Sequence, residues 1–237
     1  MPARSARLER TAIWLLVVLV GLFVIDRGAL AITEHRLASR IQNIEQLPSR
    51  PKVRIHGFLF LPQVVQGRYG SVSLGSPDPI HAAGIEVDQA EATLHSVRVT
   101  FRDVVHGTVS NVPVRSGHGS AVIPYSSLNS AVKKYGGATG SLVRVRAGHS
   151  GRARLVGPLG LAVAITARVE GGKLIITPSS SDLANLPESI SQAASAALAG
   201  PIPLPAFPFN VHLSSGSFRD DGLHLAAVSH GSVFPVR

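Results

Sequence analysis

The spacing of apolar and polar positions changes several times along this chain, and each change predicts an element. Residues 11–25, TAIWLLVVLVGLFVI, form an uncharged, mainly apolar run that ends at Asp26-Arg27. From residue 32 to 44 the apolar positions Ile32, Leu37, Ile41 and Ile44 recur at about helical spacing, which predicts an amphipathic helix. Thr33 is its candidate cap, and Pro48 with Pro51 closes the segment. Beyond Pro51 the period drops to two. Residues 53–55, 72–74 and 90–101 alternate as strands do. In the last of these, Ala90, Ala92 and Leu94 share one face, whereas Val97, Val99 and Phe101 share the other. A bulge near His95-Ser96 restores a single buried face and bends the strand. Long bent strands suit a sheet that wraps around something.

The second half continues the pattern. Pro124 and Tyr125-Ser126-Ser127 introduce a short helix over 128–135, which Gly136-Gly137 ends. Residues 142–146 and 152–155 read as a hairpin joined by a loop at 147–151, and a second hairpin links 161–169 to 173–177 through Gly171-Gly172. Residues 185–198 predict another helix, with Pro187 early in it, an apolar side of Ile190, Ala194, Ala197 and Leu198, and Gly200 at its end. Residues 201–209, PIPLPAFPF, are held extended by four prolines that cannot donate to a ladder. Strands at 211–213 and 223–228 close the chain, the second after an Asp221-Gly222 turn. Excess strand with a few helices gives the α+β class, and no composition break divides residues 32–237, which read as one domain.

Residues 53–74, VRIHGFLFLPQVVQGRYGSVSL, depart from the alternation. Phe58-Leu59-Phe60-Leu61 follows Gly57 and abuts Pro62, then Val64-Val65 leads into Gln66-Gly67-Arg68. Two of only eight phenylalanines are spent here. Burying each is worth roughly 1.5–3 kcal/mol, so the run either pins the core or offers apolar surface to something other than water. Leu204, Phe207 and Phe209 make a second Pro-interrupted apolar run. Both runs are ordinary core plugs at sheet ends on one reading, and the lining of an apolar cavity on the other. On the cavity reading Phe58, Leu59, Phe60, Leu61, Val64, Val65, Leu204, Phe207 and Phe209 form that lining.

Charge changes the picture at both ends. The formal net charge is +9, and because Glu9 and Asp26 offset the four arginines of residues 1–31, +7 of it belongs to the folded part. Such a surface selects anionic partners. The apolar run at 11–25, behind three arginines, is shorter than the about 20 residues a bilayer span needs. It therefore suits the hydrophobic region of a signal peptide, with Ala29-Leu30-Ala31 as the small-x-small site for cleavage after Ala31. An uncleaved signal anchor is the equal alternative for residues 1–31. Both place the remainder in the cell envelope, outside the cytoplasmic membrane, where the anionic partners open to a basic surface are lipid headgroups or a membrane surface, acidic glycans and nucleic acid, the last not expected there.

Catalytic and metal chemistry leaves little trace. Cysteine is absent, which removes disulfides, thiolate metal sites and cysteine nucleophiles. Gly117 and Gly119 lack the third member of a dinucleotide fingerprint, no phosphate-binding G-K-[ST] occurs, and Ser150 is not in a nucleophile elbow. The ten histidines show no tight ligand spacing; His212 and His224 could meet across strands, which is weak evidence for metal. Only 14 acids exist, and Asp220-Asp221 belongs to a turn that favours aspartate for backbone reasons. No catalytic residue, metal ligand or cofactor is expected. The hairpin at 142–155 is more telling: with the loop at 147–151, Arg146 faces Arg152 and Arg144 faces Arg154, four guanidiniums on one face. Like charges directly opposite destabilise a strand pair. A solvated face of splayed arginines explains this as well as a phosphate or membrane surface does.

Taken together, Ile55-His56-Gly57-Phe58-Leu59-Phe60-Leu61-Pro62-Gln63-Val64, Gly67-Arg68-Tyr69, Val122-Ile123-Pro124-Tyr125, Gly171-Gly172-Lys173-Leu174, Leu204-Pro205-Ala206-Phe207-Pro208-Phe209 and Asp221-Gly222-Leu223 resemble, in order and spacing, the LmeA-like phospholipid-binding family of actinobacterial envelope proteins, named for a lipomannan elongation factor. The resemblance spans about residues 30–235, and its most specific piece is I-x-G-F-x-F-L-x-Q-V followed by G-R-Y. One departure is Leu59, where the family usually has proline. The resemblance implies a tubular lipid-binding (BPI/TULIP-like) fold, with a long twisted antiparallel sheet wrapped around a helix. It implies binding of phosphatidylinositol-type phospholipids and a role in maturing mannosylated envelope glycolipids (lipomannan), with no catalytic residues to carry over. Arg68 and the Arg144, Arg146, Arg152 and Arg154 face are then expected to meet phosphate. The alternatives are an envelope enzyme acting on a lipid-linked glycan and a scaffold recruiting an envelope glycosyltransferase.

Overall fold

A computed structural model describes residues 3–44, 49–82, 85–100, 102, 111–204 and 212–235. Phe207 and Phe209, the prolines around them, Val211, Phe101 and Pro48 lie outside the described residues. The architecture is α+β, as the alternation and the resemblance imply. It is built on a long antiparallel sheet, a smaller curled one, and helices packed between and beside them.

The chain begins with α1 (Ala3–Ile44), a single helix of 42 residues. The apolar run and the amphipathic helix were expected as separate pieces, but nothing between them breaks a helix. Gly28 is tolerated there because a side chain at its position would meet open space, and its propensity penalty is only about 1 kcal/mol relative to Ala. Thr33 accordingly lies inside the helix, not at its start, and its Oγ1 donates to the Ala29 carbonyl at 2.8 Å.

After α1 come β1 (Lys52–His56), α2 (Phe60–Gln66), β2 (Arg68–Gly75), β3 (Ile80–Ala82), β4 (Ile85–Arg98) and β5 (Asn111–Pro124). Next follow α3 (Tyr125–Tyr135), the single turn α4 (Gly137–Gly140), β6 (Arg144–Ala147), β7 (Ala153–Val156), β8 (Ala162–Glu170) and β9 (Lys173–Pro178). The chain finishes with α5 (Ser180–Ala184), α6 (Glu188–Leu198), β10 (Ile202–Pro203), β11 (His212–Phe218) and β12 (Gly222–Pro235). The long sheet runs β1-β2-β4-β5-β12-β11, with β3 beside β4, and the smaller one runs β10-β9-β8-β7-β6. Every described pairing is antiparallel.

Apolar side chains gather in two cores along the long sheet. The distal core joins Ile85, Val87, Ile123, Leu223 and Leu225 of that sheet to Leu128 and Val132 of α3, Leu198 of α6, and Val145, Leu155 and Ile165 of the smaller sheet. α3 is thus the helix around which the sheets wrap, and Asn129 on it pins β6 by donating to the Val145 carbonyl at 3.1 Å and accepting from its N–H at 2.6 Å. The proximal core is separate. Val53, Ile55, Phe60, Val72, Leu94, Val97 and Val114 close on Ala38, with Ala29, Leu30, Leu37 and Ile41 of α1 packed against them.

Two strand details differ from expectation. Leu94 and Val97 are both buried, as the change of phase at His95-Ser96 requires, but no residue is inserted: β2, β4, β5 and β12 hold the same register on both sides. Instead Gly70, Ser96, Arg115 and Gly231, which align across these four strands, all drop out of the ladder. Ser96 (φ 53°) and Gly231 (φ 59°) are left-handed, and Val114 and Gly117 in β5 are both buried, so the faces exchange along one transverse line. The sheet turns a corner there. The true one-residue register shift lies earlier, between Asp88 and Glu91, where Gln89 has φ 49°. In the arginine hairpin, Arg146 faces Arg154, whereas Arg144 faces Val156, and Arg152 sits in the turn with its N–H on the His149 carbonyl. The connection keeps the expected five residues but lies one position later, at 148–152, which moves the register by two.

Candidate functional site

The stretch 57–70 folds as a short helix set into the sheet corner. α2 starts at Phe60 with Pro62 in its first turn, where a missing N–H costs nothing. It ends at Gly67, whose φ of 63° is the left-handed cap a glycine supplies, and whose N–H returns to the Val64 carbonyl at 3.1 Å. The Gly67 carbonyl accepts from Val99, and a Cβ at residue 67 would lie 3.0 Å from the Val99 oxygen. Gln63 ties the lip to the corner. Its Nε2 donates to the Leu59 carbonyl at 2.8 Å, and its Oε1 accepts at 3.2 Å from Gly70, which lies on the line that drops out of the ladder. Leu59 has φ −129°, outside the range open to proline, so the departure at this position does give the turn its own geometry.

Beside this helix lies an open cleft of about 540 Å³, within the usual range for small-ligand sites. Phe58, Leu59, Pro62, Tyr69 and Val97 supply its apolar wall, and Gln63, Ser96, Arg68 and Arg98 its polar one. Burial raises the Tyr69 hydroxyl above its ordinary pKa, and its ring lies 6.4 Å from that of Phe60. Arg68 and Arg98 are directly opposite on β2 and β4, both exposed. Among the described residues neither has an ion pair. Two facing guanidiniums repel, and an anion between them turns that repulsion into a bidentate grip.

α1 is fastened to the same helix. Asp26, buried at the end of the apolar run, accepts the N–H of Phe60 at 3.0 Å and of Leu61 at 2.7 Å, filling the orphan donors of the α2 N-terminus. Arg27 donates to the Phe58 carbonyl and lies 5.0 Å over the Phe23 ring. Further along, Glu34 accepts the Ile55 N–H at 2.7 Å. Residues 14–25 are exposed throughout, and the helix is long and apolar enough to cross a membrane.

The residues expected at the site therefore separate. Phe58 and Leu59 line the cleft with Arg68; Leu61 and Val65 are exposed on the outer side of α2; Phe60 and half-buried Val64 belong to the proximal core. Leu204 is buried in the distal core, outside the cleft lining. Arg144, Arg146, Arg152 and Arg154 are exposed at the smaller sheet, whose inward residues Val145, Ala153 and Leu155 pack in the distal core. Sequence reasoning missed Arg98, Tyr69, Gln63 and Asp26. Arg98 needed the β2–β4 register to become visible, while the charge at Asp26, closing an apolar run, was a signal left unused.

Elsewhere, His224 bonds Asp221 Oδ1 at 2.7 Å and registers with Ser217, whereas His212 registers with Val228, so the two histidines are not cross-strand partners. Among the described residues no three His, Cys, Asp or Glu side chains group to hold a metal. A family model described as LmeA-like phospholipid-binding matches residues 24–228, from just before the Asp26 contact into β12. Searches of curated proteins and of solved structures gave no significant match.

Proposed function

The chain belongs to the LmeA-like phospholipid-binding family, which is not a known enzyme family, and on that premise we propose that the cleft at the sheet corner is where this protein holds its phospholipid. The phosphate sits between Arg68 and Arg98, and the first part of the acyl chains lies against Phe58, Leu59, Pro62, Tyr69 and Val97. The observation that carries this reading is the Arg68–Arg98 pair, unneutralised by any described acid and set beside an apolar wall. The headgroup is anionic and of the phosphatidylinositol type, and the bound lipid serves the maturation of mannosylated envelope glycolipids, as the family resemblance implies. The arginine face of the smaller sheet is then free to meet a second anionic surface or an envelope glycosyltransferase.

The test is the lipid content of the full chain. Purified in mild detergent and extracted for mass spectrometry, it should carry an anionic phospholipid that Arg68→Gln with Arg98→Gln removes and Arg146→Ser with Arg154→Ser does not. An empty protein that also ignores anionic vesicles, or a lipid held equally by the Arg68/Arg98 variant, contradicts the reading.

A further inference from the structure

The helix α2 has apolar side chains on both of its faces. Phe60 and Val64 turn into the proximal core, while Leu61 and Val65, one turn apart, are exposed, and Phe58 extends their stripe. Phe58 and Val65 are each 82 % exposed. A contiguous apolar stripe is ordinarily covered by something, yet among the described residues nothing covers this one.

Its place in the molecule identifies what does. Asp26 and Arg27 terminate the exposed apolar part of α1, and these two residues hold the backbone of Phe58, Phe60 and Leu61 directly. The stripe therefore lies at the end of the exposed apolar part of α1, a helix long and apolar enough to cross a membrane. Arg27 sits there too, its guanidinium over the Phe23 ring and donating to the Phe58 carbonyl at the lip. Facing the cleft from β2 and β4, Arg68 and Arg98 add positive charge at the same end, which suits an anionic lipid surface.

We propose that α2 lies in the surface layer of the bilayer crossed by α1, with Phe58, Leu61 and Val65 immersed among its lipids and the Arg68/Arg98 cleft opening at headgroup level. The α1 helix is then retained in the working protein, because cleavage after Ala31 removes Asp26 and exposes the donors it satisfies. The seating rests on α1 and α2; only the role of the cleft rests on the phospholipid reading above.

The absence of cysteine makes the test direct. Single-cysteine variants Phe58→Cys, Val65→Cys and, as a distal control at an exposed position of α3, Ser130→Cys are labelled with a polarity-sensitive fluorophore. The full chain is then reconstituted in vesicles of phosphatidylcholine and phosphatidylglycerol containing nitroxide-labelled lipid. Labels at 58 and 65 should emit to the blue and be quenched about two-fold or more, as for an interfacial helix, while the label at 130 stays in water. Asp26→Ala should weaken quenching at 65 without moving the label at 130 or the melting of the sheet. A water-exposed label at 65, or one shielded only as protein concentration rises, overturns the proposal, the latter in favour of a second copy. Quenching at 65 that is indifferent to Asp26→Ala overturns the clamp. Lipid extraction of the detergent-purified chain, before reconstitution, separates the two readings: bound phospholipid with a water-exposed label at 65 defeats the seating alone, and an immersed label with no bound lipid defeats the cleft alone.

Discussion

The two ends of the long sheet share strands β4 and β5 and have opposite characters. At the distal end Ile123 and Leu223 are fully buried between α3 and the smaller sheet, and Tyr125 stacks on Phe218 with ring centroids 6.5 Å apart while its hydroxyl donates to the Arg219 carbonyl at 2.7 Å. At the proximal end the core is thinner, the sheet turns a corner, and Phe58 stands in the open beside two facing arginines. Distal packing supplies the stability that lets the proximal end keep an exposed apolar lip and an unneutralised charge pair. Division of this kind places strain and exposed apolar surface where binding can use them.

The largest effect that would sharpen the contrast is a distal truncation. Leu223→Ala should cost about 2–5 kcal/mol of unfolding free energy, read by denaturant melts, whereas Phe58→Ala should stay within about 0.5 kcal/mol and lose bound phospholipid instead. A stability loss for Phe58→Ala comparable to that for Leu223→Ala would mean the lip is core. Next, Gly67→Ala should destabilise by about 1–2 kcal/mol, the cost of a Cβ in the left-handed region, increased by its approach to the Val99 oxygen. Arg98→Gln should raise stability by about 0.2–1 kcal/mol through relief of cross-strand repulsion while weakening binding to anionic vesicles. Arg146→Ser should give the same small stabilisation with lipid content unchanged. If Arg146→Ser rather than Arg98→Gln empties the protein, the two ends have been assigned the wrong way round.

The smallest expected effect is electrostatic. The hydrogen bond from His224 holds the Asp221 carboxyl below its ordinary value, against the opposing effect of desolvation, with the charges of His224 and Arg219 assisting. A depressed carboxyl contributes stability that is present above the unfolded pKa of about 3.9 and is lost as pH falls through the folded one. Asp221→Asn should therefore melt slightly lower than the parent at pH 7 and match it in strong acid; both partners are partly exposed, so the difference is small.

Much of the fold was legible in the sequence because periodicity reports burial. The alternation at 90–94 and 97–99, the hairpin through Gly171-Gly172 and the helix before Gly136 all appear where the pattern places them. What stayed hidden depended on contacts between distant residues. β5 carries Arg115, His118 and two glycines, so its alternation is weak, and only pairing with β4 and β12 makes it a strand. The apolar run at 58–61 reads as continuous, yet Asp26, 34 positions away from Phe60, supplies the cap that starts a helix within it. Arg68 was visible as a candidate, but its partner Arg98 emerges only from register.

The claim on which the rest depends is that phospholipid occupies the proximal cleft. A phospholipid bearing a photoactivatable group near its headgroup, incubated with the full chain and irradiated, locates it by peptide mass spectrometry. Cross-links should fall within residues 57–70 and 96–98. Cross-links confined to the distal core around Leu204 or to the arginines at 144–154 would contradict it.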